Sequence, residues 1–230
     1  VEKTKEIKAT LTIPEGFTIE QIAKRVESEG LFTEEEFLDA VQENTYSYDF
    51  LDSIPEGVNV TYRLQGFLFP ATYDIYDDTT AHDLVDMMLK KFSEVYDADM
   101  RNQAAALNYT AFEMVTRASI VEREAKLDEE RPIIAGVINN RLEEGMMLQM
   151  CPTVLYPITN GLYDKSEVTY DDLEVDSLYN TYKYTGLPVG PICNPGQVSM
   201  EAVLNPAQHN YLYYHCLLYN SPSPRDCSYS

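Results

Sequence analysis

The chain has 230 residues, 38 of them acidic and 17 basic, for a net charge of −21 at neutral pH. That excess of negative charge excludes nucleic acid and anionic lipid surfaces as direct partners. A hydrophobic content of 44% is enough for a real core, in one large domain or in a small one beside a medium one. No stretch approaches the roughly 20 apolar residues of a membrane span, and no signal peptide is evident. His82, His209 and His215 stand in no ligand-like spacing, and neither HExxH nor Cys-x-x-Cys occurs, so no metal and no cofactor are expected. Eighteen tyrosines and no tryptophan supply flat apolar faces with polar tips, suited to sugar rings and equally to ordinary packing.

Lys8–Ile13 alternates, with Ala9, Leu11 and Ile13 on one side, and reads as a half-buried strand ending at Pro14-Glu15-Gly16. Thr18 then caps a helix, Gln21 completing the capping box, with Ile22, Ala23 and Val26 inward and Gly30 as the stop. Thr33 and Glu36 repeat the device for a second short helix carrying Phe37, Leu38 and Val41. Around Val58–Leu64 the chain extends again. Strand, helix, helix, strand makes a compact unit that looks like the small βααβ peptidoglycan-binding modules of the LysM type. Leu64–Tyr73 holds aromatic and apolar residues around a glycine and a proline, as in a tight buried turn or an edge strand. Leu84, Met87, Met88, Lys91 and Phe92 mark an amphipathic helix whose methionines fill core.

Thr110–Ala125, TAFEMVTRASIVEREA, is the most informative stretch. Thr110 and Glu113 form a capping box, and Val115, Ala118 and Ala125 repeat at helical spacing on the inner face. Glu122 falls on that stripe, whereas Glu124 aligns with Glu113, Arg117 and solvent. A carboxyl among apolar neighbours keeps its proton to higher pH, as a general acid requires. The alternative is a boundary residue whose carboxylate reaches water or an arginine. Ile133, Ile134, Val137, Ile138 and Leu142 define a further helix, with Pro132 in its first turn and Gly145 at its end. Beyond Gly145 periodicity fades into long segments rich in Pro, Gly, Asn and Tyr, which read as loops walling a cleft.

Six strings, taken in order, resemble one family, the MltG/YceG-like endolytic murein transglycosylases of bacteria. They are LQGFLFPATY at 64–73, ASIVEREA at 118–125, INNRLEEGMMLQ at 138–149, PTVLY at 152–156, YNTYKYTGLPVGPICNPG at 179–196 and NPAQHNYLYY at 205–214. The resemblance implies an α+β protein, with a LysM-like βααβ domain over 1–64 followed by a mixed α/β catalytic domain with long aromatic loops over 65–215, of which 65–110 connects the two. It implies cleavage of the MurNAc–GlcNAc β-1,4 bond in nascent glycan strands, with 1,6-anhydroMurNAc formation and an end to strand growth. It implies action on the extracytoplasmic face of the cytoplasmic membrane, beside a cell-wall synthase complex, with a single-pass anchor upstream of Val1. The family's catalytic glutamate maps onto Glu122, and its cleft residues map onto Gln149, Thr153, Tyr156, Asn180, Thr181, Tyr182 and Asn194.

Two positions depart from the family pattern: Cys151 stands where many members have aspartate, and Cys193 where many have alanine. Both flank loops expected to meet at the cleft, and an oxidising compartment permits a Cys151–Cys193 disulfide. The family's usual Gly-rich turn and final helix do not follow Tyr214. Instead Cys216–Asp226 resembles a translated transposase-type sequencing adapter, so residues 216–230 are set aside as a non-native tail. A non-catalytic peptidoglycan-binding scaffold is the alternative function. A third reading is a conventional hydrolase with a second acid among Glu124, Asp128 and Glu129.

Overall fold

In the computed structural model, which describes residues 6–213, strand β1 (Ile7–Thr12) pairs antiparallel with β2 (Thr72–Tyr76). The register sets Ala9 opposite Ile75, Leu11 opposite Tyr73 and Thr12 opposite Thr72, with an irregularity between Ile7 and Ala9. The period-2 alternation turns Leu11, Tyr73 and Ile75 into the core, whereas Ile7, beyond the irregularity, is exposed. Between the strands lie α1 (Ile19–Ser28) and α2 (Glu34–Gln42), each opened by the expected threonine capping box. Gly30 follows α1 at φ 66°, the left-handed conformation that ends helices.

The strand expected at Val58–Leu64 is not formed. Its alternation is real, Val58, Val60 and Tyr62 packing half-buried against the core, but no strand among the described residues pairs with it. It is held by side-chain hydrogen bonds instead: the Thr61 N–H donates to the Tyr179 hydroxyl (3.2 Å), and the Arg63 guanidinium donates to the Leu51 backbone carbonyl (3.2 Å). The second strand of the unit therefore lies beyond residue 64, in what the sequence reading took as connecting segment.

α3 (Ala81–Val95) and α4 (Ala98–Ala106) lead to α5 (Ala111–Glu124), which begins at the Thr110 capping box. Ten of its 14 residues are buried, because α4, α6 (Arg131–Glu143), α7 (Cys151–Ile158), α9 (Gln197–Leu204) and the 3₁₀ turn Asp49–Ser53 all pack on it. One continuous hydrophobic cluster runs from Leu11 to Leu204, so the β-unit and the helices behind it share a core. A triad of rings, Phe50, Phe67 and Phe92, with centroids 4.7–5.5 Å apart, joins the two halves.

The segment after Gly145 is not loop throughout. It contains α7, the single turn α8 (Tyr170–Leu173) and α9. These helices have at most eight residues, too few for a periodic pattern, and α7 carries Pro152 in its first turn and Pro157 inside. In α6, Ile133 is 40% exposed rather than inward. The proposed tail at 216–230 lies outside the described residues. No helix among the described residues is long and apolar enough to cross a membrane.

Candidate active site

Three chain segments converge on the last turn of α5. Ser119, fully buried, donates from its hydroxyl to the Thr116 carbonyl (2.8 Å) and accepts from the Ile192 N–H (3.1 Å), fixing the 191–196 loop along the helix. Asn194 next ties that loop to the chain entering α1: Gly16 N–H donates to the Asn194 carbonyl (2.9 Å), and Asn194 N–H to the Phe17 carbonyl (2.8 Å). The loop ends at Gly196, the N-cap of α9, one turn of α5 further on and beside Glu122.

The Glu122 side chain is 7% exposed and its surroundings are polar. Oε2 accepts from the Gly196 N–H (3.0 Å) and the Ser199 hydroxyl (2.7 Å), and Oε1 from Arg131 Nη1 (3.2 Å). The same Arg131 nitrogen donates to Ser199, closing an Arg131–Ser199–Glu122 triangle. The expectation of a carboxyl among apolar neighbours is thus wrong, because the helix wheel could not show that an arginine from α6 and the N-terminus of α9 fill that face. A carboxylate at a helix N-terminus is well placed for the exposed N–H groups and the helix dipole. Burial alone would depress the Arg131 guanidinium, but Glu122 and Asp128 outweigh it and hold it above its usual value.

Glu124 was expected on the solvent face and is instead 8% exposed. A two-sided wheel fails for α5 because packing covers nearly its whole circumference. Arg117, on the same side, lies with its guanidinium 4.0 Å from the Tyr109 ring centre, a cation–π contact.

Of the residues assigned to the cleft by resemblance, Thr153, Tyr156, Asn180, Thr181 and Asn194 are buried and engaged with the protein itself. The Thr153 and Thr181 hydroxyls lie 2.8 Å apart, and Thr181 accepts from the Met150 N–H (3.0 Å). Asn180 donates to the Leu173 and Val175 carbonyls (2.8 and 2.9 Å). The Tyr156 hydroxyl joins Gln65 and Glu20, each at 3.3 Å. Gln149 is exposed, with φ 50°, and Tyr182 is half-buried. Tyr62, Tyr156 and Tyr179 line a cavity of 530 Å³ with Glu20 at its edge, where burial raises the Glu20 carboxyl.

Cys151 and Cys193 are not bonded to each other. Cys193 is fully buried with Sγ 3.4 Å from the Ser119 carbonyl, and burial pushes its thiol up. The Cys151 sulfur lies 3.2 Å from the Tyr182 hydroxyl. The two loops do pack on the same core, but each thiol faces a different neighbour.

Arg131, Ser199 and Gly196 escaped the sequence reading. The one available signal was the Asn194-Pro195-Gly196 run, which marks a turn into a helix and so places a helix N-terminus there.

The Glu122 carboxyl is thus fixed under the N-terminus of α9 on a mixed α/β scaffold. A family model described as the YceG-like family matches residues 1–221, and the chain belongs to that family. It is 37% identical over 215 residues to a Bacillus subtilis (strain 168) protein named endolytic murein transglycosylase, covering 89% of this chain and 58% of that one. It is also 37% identical over 233 residues to a Streptococcus pneumoniae (serotype 2, strain D39) protein of the same name, covering 93% and 41%. The 2.6 Å crystal structure of a yceG-like protein, lmo1499, from Listeria monocytogenes superposes with a TM-score of 0.80 at 38% identity, covering 91% of this chain and 70% of that one. The chain thus spans 58% and 41% of the lengths of the two named transglycosylases.

Proposed function

We propose that this chain carries the acid–base centre of an endolytic murein transglycosylase, with Glu122 as the group that moves the proton. The observation that supports it best is the Glu122 carboxylate itself, on the central helix, gripped by Arg131, Ser199 and the Gly196 N–H. The names of the relatives supply the substrate class.

In this reading a proton passes to the glycosidic oxygen as the bond to MurNAc C1 breaks. The oxocarbenium-like centre is stabilised by the sugar's 2-acetamido group or by site dipoles. The carboxylate then takes the proton from the C6 hydroxyl, whose oxygen closes onto C1, and no water is consumed. Ser199 suits both states of Glu122: its hydroxyl donates to the carboxylate and can turn to accept from the acid. Water must be kept from C1, a task for the loops around the centre.

In the same proposal the unit from β1 to β2 is a LysM-like peptidoglycan-binding module. The protein works on the extracytoplasmic face of the cytoplasmic membrane, below an upstream anchor and beside a cell-wall synthase complex. Support for the module is the order β1, α1, α2, β2 with antiparallel pairing.

Glu122→Gln tests the centre. Release of anhydro-ended fragments from nascent glycan is expected to fall about a hundred- to ten-thousand-fold or more, the usual loss for general acid–base help. Gln also removes the charge facing Arg131, so stability should fall by about 1–3 kcal/mol. A scaffold reading is favoured by one observation, that both Glu122 oxygens already have protein donors. Anhydro-ended fragments from the wild type, absent with Glu122→Gln, would exclude it.

A further inference from the structure

Gly196 is held between two carboxylates. Its N–H donates to Glu122 Oε2 (3.0 Å), and a Cβ built on it would fall inside the carboxyl group of Glu15. Geometry across one glycine residue puts the two carboxyl groups within roughly 8 Å of each other. Glu15 lies 107 positions before Glu122 in the chain, just ahead of α1. Its place is fixed by its neighbours: Gly16 N–H and Phe17 C=O bond the Asn194 backbone (2.9 and 2.8 Å), and Arg123 Nη1 approaches the Gly16 carbonyl (3.5 Å). A Cβ on Gly16 would sit 3.5 Å from Glu122 Cγ. Glu122 is nearly closed off, whereas Glu15 is exposed.

We propose that Glu15 is a second carboxyl of this site, contributed by the β-unit, and that its titration is coupled to that of Glu122. The inference rests on reading Glu122 as the acid–base group. Carboxyl groups that share a site titrate as a coupled pair, the charge of one disfavouring the charge of the other. Arg131 bonds Glu122 directly (3.2 Å), and Glu15 is the member open to solvent. The charged groups acting on Glu15 are Glu122 from α5, Asp128 from the turn before α6, and Arg131 from α6, with Arg123 beside the adjoining Gly16. Partial burial, then the negative charge of Glu122, lift Glu15 above the ordinary carboxylate range; Arg131 pulls it back and Asp128 adds to the lift.

The proton balance closes within the pair. A proton goes from the pair to the leaving glycosidic oxygen as C1–O breaks, and the C6 hydroxyl proton returns to the pair as O6–C1 forms. The site ends in the state in which it began. The substrate therefore meets Glu15 at the rim and Glu122 behind it, so the β-unit takes part in the reaction as well as in binding.

The test follows the ¹³C carboxyl shift of Glu15 through a pH titration of the whole chain, in wild type and in Glu122→Gln. Removing the Glu122 charge is expected to lower the Glu15 midpoint by about one pH unit, the scale of a coupled pair. Gly196→Ala is a second route: its Cβ pushes aside only the end of the Glu15 side chain and leaves the backbone donor in place, and it too should lower the midpoint. Should Glu122→Gln not fold, the reciprocal titration of Glu122 in Glu15→Gln decides the coupling. In the glycan assay, Glu15→Gln should move the alkaline limb of the kcat/KM profile to lower pH while the product stays anhydro-ended. An identical Glu15 midpoint in wild type and Glu122→Gln overturns the pair, and an unmoved alkaline limb overturns its part in the reaction. A wild type that releases no anhydro ends sinks the functional reading and that reaction role with it, while the titration still decides the pair.

Discussion

Asn194→Ala separates the two roles open to a residue that resemblance places at the cleft and the fold buries completely. Its Oδ1 accepts from the Gly66 and Leu68 N–H groups (2.9 and 3.0 Å), and its Nδ2 donates to the Phe17 carbonyl (2.9 Å). One side chain thus joins the 64–69 turn, the entry to α1 and the loop that delivers Gly196 to Glu122. Alanine strands two buried backbone donors, the Gly66 and Leu68 N–H groups, while the Phe17 carbonyl keeps the Asn194 N–H. At about 1–3 kcal/mol for each group stranded, and with water entering the vacated space, the loss should be about 2–5 kcal/mol. For a chain of this size that lowers the thermal midpoint by roughly 5–15 °C. Urea unfolding followed by circular dichroism, beside the glycan assay, reads both roles. A variant within about 1 kcal/mol of wild type but with a raised KM would refute the structural assignment and return Asn194 to substrate contact.

Gly66→Ala should cost about 3–5 kcal/mol in unfolding free energy by urea denaturation, because Gly66 has φ 95° and its Cβ would lie 2.5 Å from Val115 Cγ1 and 2.7 Å from Pro191 Cβ; a loss under about 1 kcal/mol would show that the 64–69 turn is not pressed against α5. Arg131→Met, which leaves the enclosed Glu122 carboxylate without its cation, should destabilise by about 3 kcal/mol. Adding Glu122→Gln to it should recover part of that loss, whereas strict additivity in the double-mutant cycle would mean the ion pair is not felt. Peptide mapping without reductant should yield Cys151 and Cys193 on separate peptides, and a cross-linked pair would contradict the geometry around the two thiols.

Legibility tracks the range of the interactions. The Thr18, Thr33 and Thr110 caps are visible in sequence because a capping box is complete within four residues, and all three form as expected. The second strand is not, because β1 pairs with residues 60 to 69 positions away, and Val58–Leu64 offers an equally good alternation closer by. α9 is hidden for a different reason. Its eight residues show no stripe, and what makes it a helix is burial of Met200, Val203 and Leu204 in the core behind α5 and α6. Glu124 marks the limit of the wheel: an amphipathic pattern assumes one wet face, and the central helix of a bundle has none.

The site divides along the same line. Glu122 is legible from its own helix, but its partners come from Arg131, Ser199 and Gly196, nine to 77 residues further on, and no local pattern announces them. The residues assigned to substrate by motif alone carry a related lesson. Thr153, Thr181, Asn180 and Asn194 have their polar atoms bonded inward, and to reach a sugar each would first abandon a buried partner at a cost of about 1–3 kcal/mol. Such residues recur in a motif as well for holding a loop as for touching a ligand. Under the proposed function, contact with glycan would then fall to groups that face water without losing a bond, and beside Glu122 one such exposed acid is Glu15. Under that proposal the motif residues would set the shape of the loops, and the chemistry would fall to the acids at the seam between the β-unit and the helices.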